Sequence, residues 1–445
     1  METRRSILRA GGTAGALGTL VLSACAGAQS AGGASGPPDA AGPTASLTYL
    51  GNHNQAEAQV VQPQMEGFAQ RFPRARVQVT NVAAGYDEKL QAMLAGGTPP
   101  DLFRTGGTGW AQYANQGAIA EIGSRVKRDR YDLADFIEAA VQQYFWKGRH
   151  VGLGSNVGYS LFYYNTALFR DNGVPEPGDD WARPWSWDRF ADALKRVTTR
   201  DAAGEAERFG FTGLNDFHRL LVLNGARLTN DDDTRTLYDS PEAVETWEWL
   251  ADLVHAHKVA HNPLTYAQLS PVNAFVQGRA AVYVTSTANG VTQLVPQQDL
   301  AWDVTPTAKG PRVTREQWIY GGGSVWLIAA ASPAVDATWE LLKHLESPEV
   351  GHNLARGGFA PIRYSVLNSP AWLRSDQPPK SKKPLVDGLK RLLPFPKLIN
   401  FAQFDKAITD EVQALWTGER RGREVAQRIR QATDPILAEH QRAIK

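Results

Sequence analysis

Strand-like and helix-like periodicities alternate along this chain in two separate blocks, and that alternation restricts the fold more than any single motif. Leu47 to Leu50 (LTYL) reads as a short apolar strand that stops at Gly51-Asn52-His53-Asn54. Val60, Val61, Met65 and Phe68 then recur at helical spacing up to Arg71, and Pro73 marks the break. Arg76 to Val82 alternates apolar and polar residues as a strand does. Tyr86 to Ala95 resumes helical periodicity until Gly96-Gly97, and Asp101-Leu102-Phe103 opens a third strand. Such a series predicts a parallel sheet covered by helices.

The second block repeats the pattern. Ser160 to Tyr164 is a strand, Ser186 caps a helix over 187–197, Phe209 to Leu214 is a strand, and 241–257 is a long amphipathic helix. Ala280 to Thr285 is a further strand. Ser324 to Ala330 is apolar throughout, and the helix begun by Pro333 carries Val335, Trp339, Leu342 and Leu345. From Leu385 onward the chain is helical, with arginines on a solvated face. The expected fold class is α/β with two lobes, each a mostly parallel sheet flanked by helices; 445 residues supply both cores.

The amino terminus reads as an address rather than as structure. Arg4 and Arg5 resemble a twin-arginine export signal, and the weakly apolar run from Ala10 to Ala24 is short for a membrane span. Leu22-Ser23-Ala24-Cys25 resembles the bacterial lipobox, whose cysteine carries lipid after cleavage. Cys25 is the only cysteine, which excludes an internal disulfide framework and any multi-thiolate metal site. Residues 1–24 are thus expected to be an export signal, Cys25 a lipid anchor, and the Gly-, Ala-, Ser- and Pro-rich stretch 25–46 a flexible tether. A formal charge of +1 leaves no basic excess for phosphate neutralisation, so nucleic acid is not an expected partner.

Several segments carry a family likeness. Tyr86-Asp87-Glu88-Lys89-Leu90, Ala95-Gly96-Gly97-Thr98-Pro99-Pro100-Asp101-Leu102-Phe103, Tyr163 to Phe169, Ala274 to Tyr283 and Ser347-Pro348-Glu349 resemble, in order and spacing, family 1 extracellular solute-binding proteins, the sugar-capturing components of ABC importers. The resemblance implies two lobes of periplasmic-binding-protein type II-like fold, with a hinge of crossovers near 158–160, 322–325 and 369–384. Lobe 1 would comprise 47–158 and 323–375, and lobe 2 would comprise 159–322 and 376–445. It further implies delivery of a carbohydrate to membrane permease subunits by a monomer, without catalysis of its own.

In open α/β sheets ligands gather beyond the carboxyl ends of strands, so the loops there supply the candidates. A sugar offers C–H faces that stack on aromatic rings and hydroxyls that need amide and charged partners. Asn52 and His53 follow the first strand, Tyr86 opens the next helix, and Arg104 and Trp110 flank the turn after the third strand. Asn156 and Tyr159 lie at the first crossover. From the other lobe come Phe217, Asn289, Trp318, Tyr320 and Gly322. The loop 357–363 resembles the family's Gly-x-x-Pro cleft loop and adds Phe359 and Arg363.

Other chemistries are weak. His255, His257 and His261 fall on different helix faces, Asp231-Asp232-Asp233 reads as a solvated hairpin turn, and no nucleophile elbow is present, so no metal, cofactor or catalytic residue is expected. The expected function is capture of a mono- or oligosaccharide outside the membrane. The alternatives are a phosphorylated or acidic small molecule held by Arg104 and Arg363, and an extracellular glycoside hydrolase using two cleft carboxylates.

Overall fold

The computed structural model describes residues 43–445 except Ala83, Gly357, Gly358, Ser375 and Asp376. The export signal, Cys25 and nearly all of the 25–46 tether lie outside the described residues, as do the two glycines of the 357–363 loop, but the last two residues expected in the tether, Ala45 and Ser46, instead open the first strand. The first block forms β1 (Ala45–Gly51), α1 (Gln55–Arg71), β2 (Ala75–Asn81), α2 (Tyr86–Ala95), β3 (Leu102–Thr105) and α3 (Trp110–Asn115). α1 starts where it does because of Asn54. The Asn54 side chain accepts the Glu57 N–H at 2.9 Å while the Glu57 carboxylate accepts the Asn54 N–H at 3.2 Å, a reciprocal capping box.

The chain then forms β4 (Leu153–Gly154), β5 (Gly158–Asn165), α4 (Trp187–Val197), β6 (Thr199–Arg200), β7 (Ala206–Thr212) and α5 (Pro241–His255). Ser186 and Ser240 cap α4 and α5 by accepting N–H groups three residues on. β8 (Ala280–Ser286), α6 (Thr287–Leu294), β9 (Trp302–Thr305), β10 (Ile319–Gly322), β11 (Val325–Ile328), α7 (Val335–Leu345) and α8 (Pro348–Arg356) follow. β12 (Leu392–Pro394), α9 (Phe401–Thr417) and α10 (Gly422–Ala443) complete the chain.

One sheet runs β2-β1-β3-β11-β4 and the other β12-β10-β5-β8-β7-β6, with β9 also paired to β5. In the first sheet β3, β11 and β4 are buried on both faces, and the strand period of two sorts their side chains. Along β11, Trp326 and Ile328 join the core under α1 and α7, whereas Val325 and Leu327 join the core around Trp110 and Tyr113. The two-lobed α/β fold is as expected, but the sheets are mixed rather than mostly parallel. β1 pairs parallel with β2 and β3, β7 with β8, and β10 with β12. β11 and β5, which enter from the opposite lobe, pair antiparallel with their neighbours. A strand returning across a hinge enters its sheet from the end opposite to that used by a βαβ crossover.

The passages from β4 to β5 and from β10 to β11 lie backbone against backbone. A Cβ on Gly323 would overlap the Asn156 carbonyl, and one on Gly107 would overlap the Gly323 carbonyl, so only glycine fits either position. Residues 229–236 form the hairpin turn expected of the aspartate run, with Thr229 bridged to Thr236. Among the described residues no helix is long and apolar enough to cross a membrane.

Candidate functional site

A cleft of about 470 Å³ opens between the lobes at the strand ends. The first lobe contributes Asn52, Asn54 and Glu57 from the β1–α1 corner, Arg104, Gly107 and Thr108 from beyond β3, and Asn156 and Ser324 from the crossovers. The second contributes His218 and Arg219 from a short helix after β7, Ser286 and Asn289 from the β8–α6 corner, Gly322, and Phe395, Phe401 and Asp405 from the segment after β12. The walls therefore carry amides, hydroxyls and two phenyl rings, which meet edge to face at 6.2 Å.

Each charged group in the cleft already has a partner. Arg104, 5% exposed, donates from Nε to Ser155 Oγ at 3.3 Å, from Nη1 to Asn52 Oδ1 at 3.1 Å and from Nη2 to Glu57 Oε1 at 3.4 Å. Burial would raise the Glu57 carboxyl, but His53, Arg104 and the Asn54 N–H outweigh it and hold the group below its usual range. His53 is lowered, chiefly by burial, so its ring is neutral at pH 7. The ring is held by a 2.7 Å bond between Nε2 and Tyr49 Oη, and Asn81 brackets its backbone at both N–H and carbonyl. Across the cleft, Arg219 pairs with Asp216 at 2.8 Å and lies over the Phe395 ring. His218 Nε2 meets Asp405 Oδ1 at 2.5 Å, and its Nδ1 meets the Tyr238 hydroxyl.

Of the residues singled out from sequence, the structure brings Asn52, Arg104, Asn156, Asn289 and Gly322 to this cleft. His53, Phe359 and Arg363 instead line a smaller pocket beside it, of about 40 Å³, to which Arg104 and Asn156 also contribute. Arg363 is not an open cation there: it pairs with Asp135 at 2.9 Å and lies over Phe136.

The large aromatics go elsewhere. Trp110 is 1% exposed, wedged edge-on between Tyr144 and Trp146. Tyr86 is buried with its hydroxyl donating to the Leu50 carbonyl at 3.4 Å, and Tyr159 is buried with its hydroxyl on the Leu385 carbonyl. Tyr320 accepts the Leu228 N–H at 2.9 Å, and Phe217 packs on Trp247. Burying a ring stabilises by a few kcal/mol, and each of these rings is anchored in a lobe interior rather than aimed at the cleft. Trp318 is exposed and lines a separate groove of about 520 Å³ together with Tyr364.

Sequence reasoning missed Asn54, Glu57, Thr108, Arg219, Ser286, Phe395, Phe401 and Asp405 as wall residues. Glu57 was signalled by the Asn-x-x-Glu capping pattern, and Phe395 by its place between two prolines where no periodicity needs it.

The family model described as bacterial extracellular solute-binding protein matches residues 64–378. The chain is 24% identical over 283 residues to the diacetylchitobiose binding protein DasA of Streptomyces coelicolor, covering 61% of this chain and 62% of that protein, so the match spans less than two thirds of that relative's length. It is 22% identical over 371 residues to an arabinooligosaccharide-binding protein of Bacillus subtilis, covering 79% of each. An ABC substrate-binding protein from Listeria monocytogenes in complex with cycloalternan superposes with a TM-score of 0.76 at 22% identity, covering 88% of this chain and 98% of that one, which shows the shared fold. With the family model matching most of its length, this chain belongs to the bacterial extracellular solute-binding protein family.

Proposed function

We propose that this protein captures a neutral mono- or oligosaccharide in the interlobe cleft and delivers it to the permease of an ABC importer, without catalysing a reaction. The observation that carries this reading is the chemistry of the cleft wall: short amides and hydroxyls, two phenyl faces, and charges already paired as Arg104–Glu57, Arg219–Asp216 and His218–Asp405. Hydroxyls of a sugar exchange hydrogen bonds with such groups, and its ring faces cover phenyl rings. A phosphorylated ligand would bring its charge to guanidiniums already neutralised by Glu57 and Asp216, beside the carboxylates themselves. A glycosidase would need one carboxylate free to act as nucleophile or base, whereas Glu57 is committed to Arg104 and the α1 cap. The names of the relatives, which include binders of diacetylchitobiose and of arabinooligosaccharide, point the same way.

The test is thermal unfolding of the purified protein across a carbohydrate panel. A true ligand at 100 times its dissociation constant adds about 2.7 kcal/mol to stability. Shifts with neutral sugars and none with sugar phosphates are the expected result; hydrolysis of reporter glycosides would favour the enzyme. The lobes are taken as 47–158 with 323–375 and 159–322 with 376–445. The protein acts outside the membrane as a monomer held by lipid on Cys25, so Cys25→Ala should move it from the membrane fraction to the soluble fraction of its host.

A further inference from the structure

The smaller pocket beside the cleft has a shape and lining that a plain sugar hydroxyl does not use. It opens between α1, the start of β11, α8 and residues 359–366, and shares Glu57, Arg104 and Asn156 with the cleft. Beyond that polar mouth its wall is mainly apolar, with Val61, Leu345, Leu354, Ile362 and Val366, interrupted by Glu346, Ser347 and Arg363. At about 40 Å³ it holds roughly three water-sized spheres of 10–15 Å³ each, the bulk of a three-heavy-atom group rather than of a second sugar ring.

Two polar features at the mouth lack a full set of partners. The three bonds made by the Arg104 guanidinium use three of its five N–H groups. His53 Nδ1 is buried without a hydrogen bond, 3.7 Å from Glu57 Oε2, on a side chain that is itself 5% exposed. The remaining wall offers no unpaired charge: Arg363 is paired with Asp135 at 2.9 Å, and burial pushes the Glu346 carboxyl up to about 8, against the opposing pull of the Trp326 N–H and Arg363. An anionic substituent would meet only arginines already paired with carboxylates, and a bare hydroxyl would leave the apolar end empty.

We propose that this pocket is a subsite for an acetamido substituent, its methyl group against Leu354 and Val366 and its carbonyl at Arg104, so that the protein selects N-acetylated amino sugars over their hydroxyl counterparts. The proposal rests on the reading of the adjoining cleft as a carbohydrate site.

Calorimetric titration of the full chain with N,N′-diacetylchitobiose and with cellobiose tests it, since the two disaccharides differ by acetamido against hydroxyl. The acetylated sugar should bind at least about tenfold tighter, the worth of one buried methyl group and one hydrogen bond. Ala360→Leu, which fills the half-buried rim of the pocket, should bring the ratio of the two dissociation constants close to unity. Leu354→Phe is a second filling change should the first not fold, and a cooperative melt of each variant is checked beforehand. Cellobiose binding as tightly as the acetylated sugar overturns the subsite and leaves the carbohydrate reading standing. A tenfold preference that survives the filling change in a folded variant also overturns it. Failure of every sugar in the panel to bind removes the carbohydrate reading and the subsite together.

Discussion

At the scale of single residues, size and polarity decide which strand-end side chains face the ligand. Asn52, Asn156 and Asn289 are legible in the sequence as cleft residues because a short amide just after a strand has no apolar interior to enter. Trp110 and Tyr86 stand at equivalent places, yet a ring gains more from the lobe interior than from a wet cleft, and the sequence alone does not say which way it turns. Trp110→Ala should accordingly lower unfolding free energy in urea by about 3–5 kcal/mol. A variant of unchanged stability with lost sugar affinity would return Trp110 to the cleft. Glu346 makes a second prediction. Its folded carboxyl keeps its proton up to about 8, whereas the unfolded chain loses it near 4.5, so the folded state binds the extra proton between those values. Stability relative to Glu346→Gln should therefore fall as pH rises from 5 to 8, by up to about 1.4 kcal/mol per unit, and stay level above that window. Paired melts of the two proteins at pH 5 and pH 8 read the difference directly.

At the scale of elements, what the sequence shows depends on length. α4, α5 and β8 are legible because their caps and periodicities extend over 11, 15 and 7 residues. β9 and β12, of 4 and 3 residues, are too short to display a period, and Pro394 masks the second further. With β12 unseen, the aromatic wall that follows it, Phe395 and Phe401, also goes unread. The start of α1 links an element to the site, since Glu57 closes the cap and holds Arg104 with its two carboxylate oxygens. Asn54→Ala should cost about 1 kcal/mol of stability, the usual worth of a lost N-cap. It should also weaken sugar binding, because the Asn54 amide that accepts the Glu57 N–H also lines the cleft, whereas the Asn54 N–H that holds the Glu57 carboxylate remains; full affinity at reduced stability would uncouple cap from site.

At the scale of the whole molecule, the two sheets exchange strands through passages that the sequence marks with Gly321-Gly322-Gly323, although their backbone contact is visible only in three dimensions. Gly323→Val should push Asn156 and Gly107 apart and hold the lobes open. Small-angle scattering should then show less contraction on adding sugar than for the parent protein, with apparent affinity lowered by the fraction of closed-competent molecules lost. An unaltered contraction would show that the contact does not govern closure. Where main chain rests directly on main chain, no side chain can be exchanged without moving the backbone. On the proposed function, the amides and rings of the walls can be swapped for a new cargo while that contact stays as it was, so grip and closure are open to separate change.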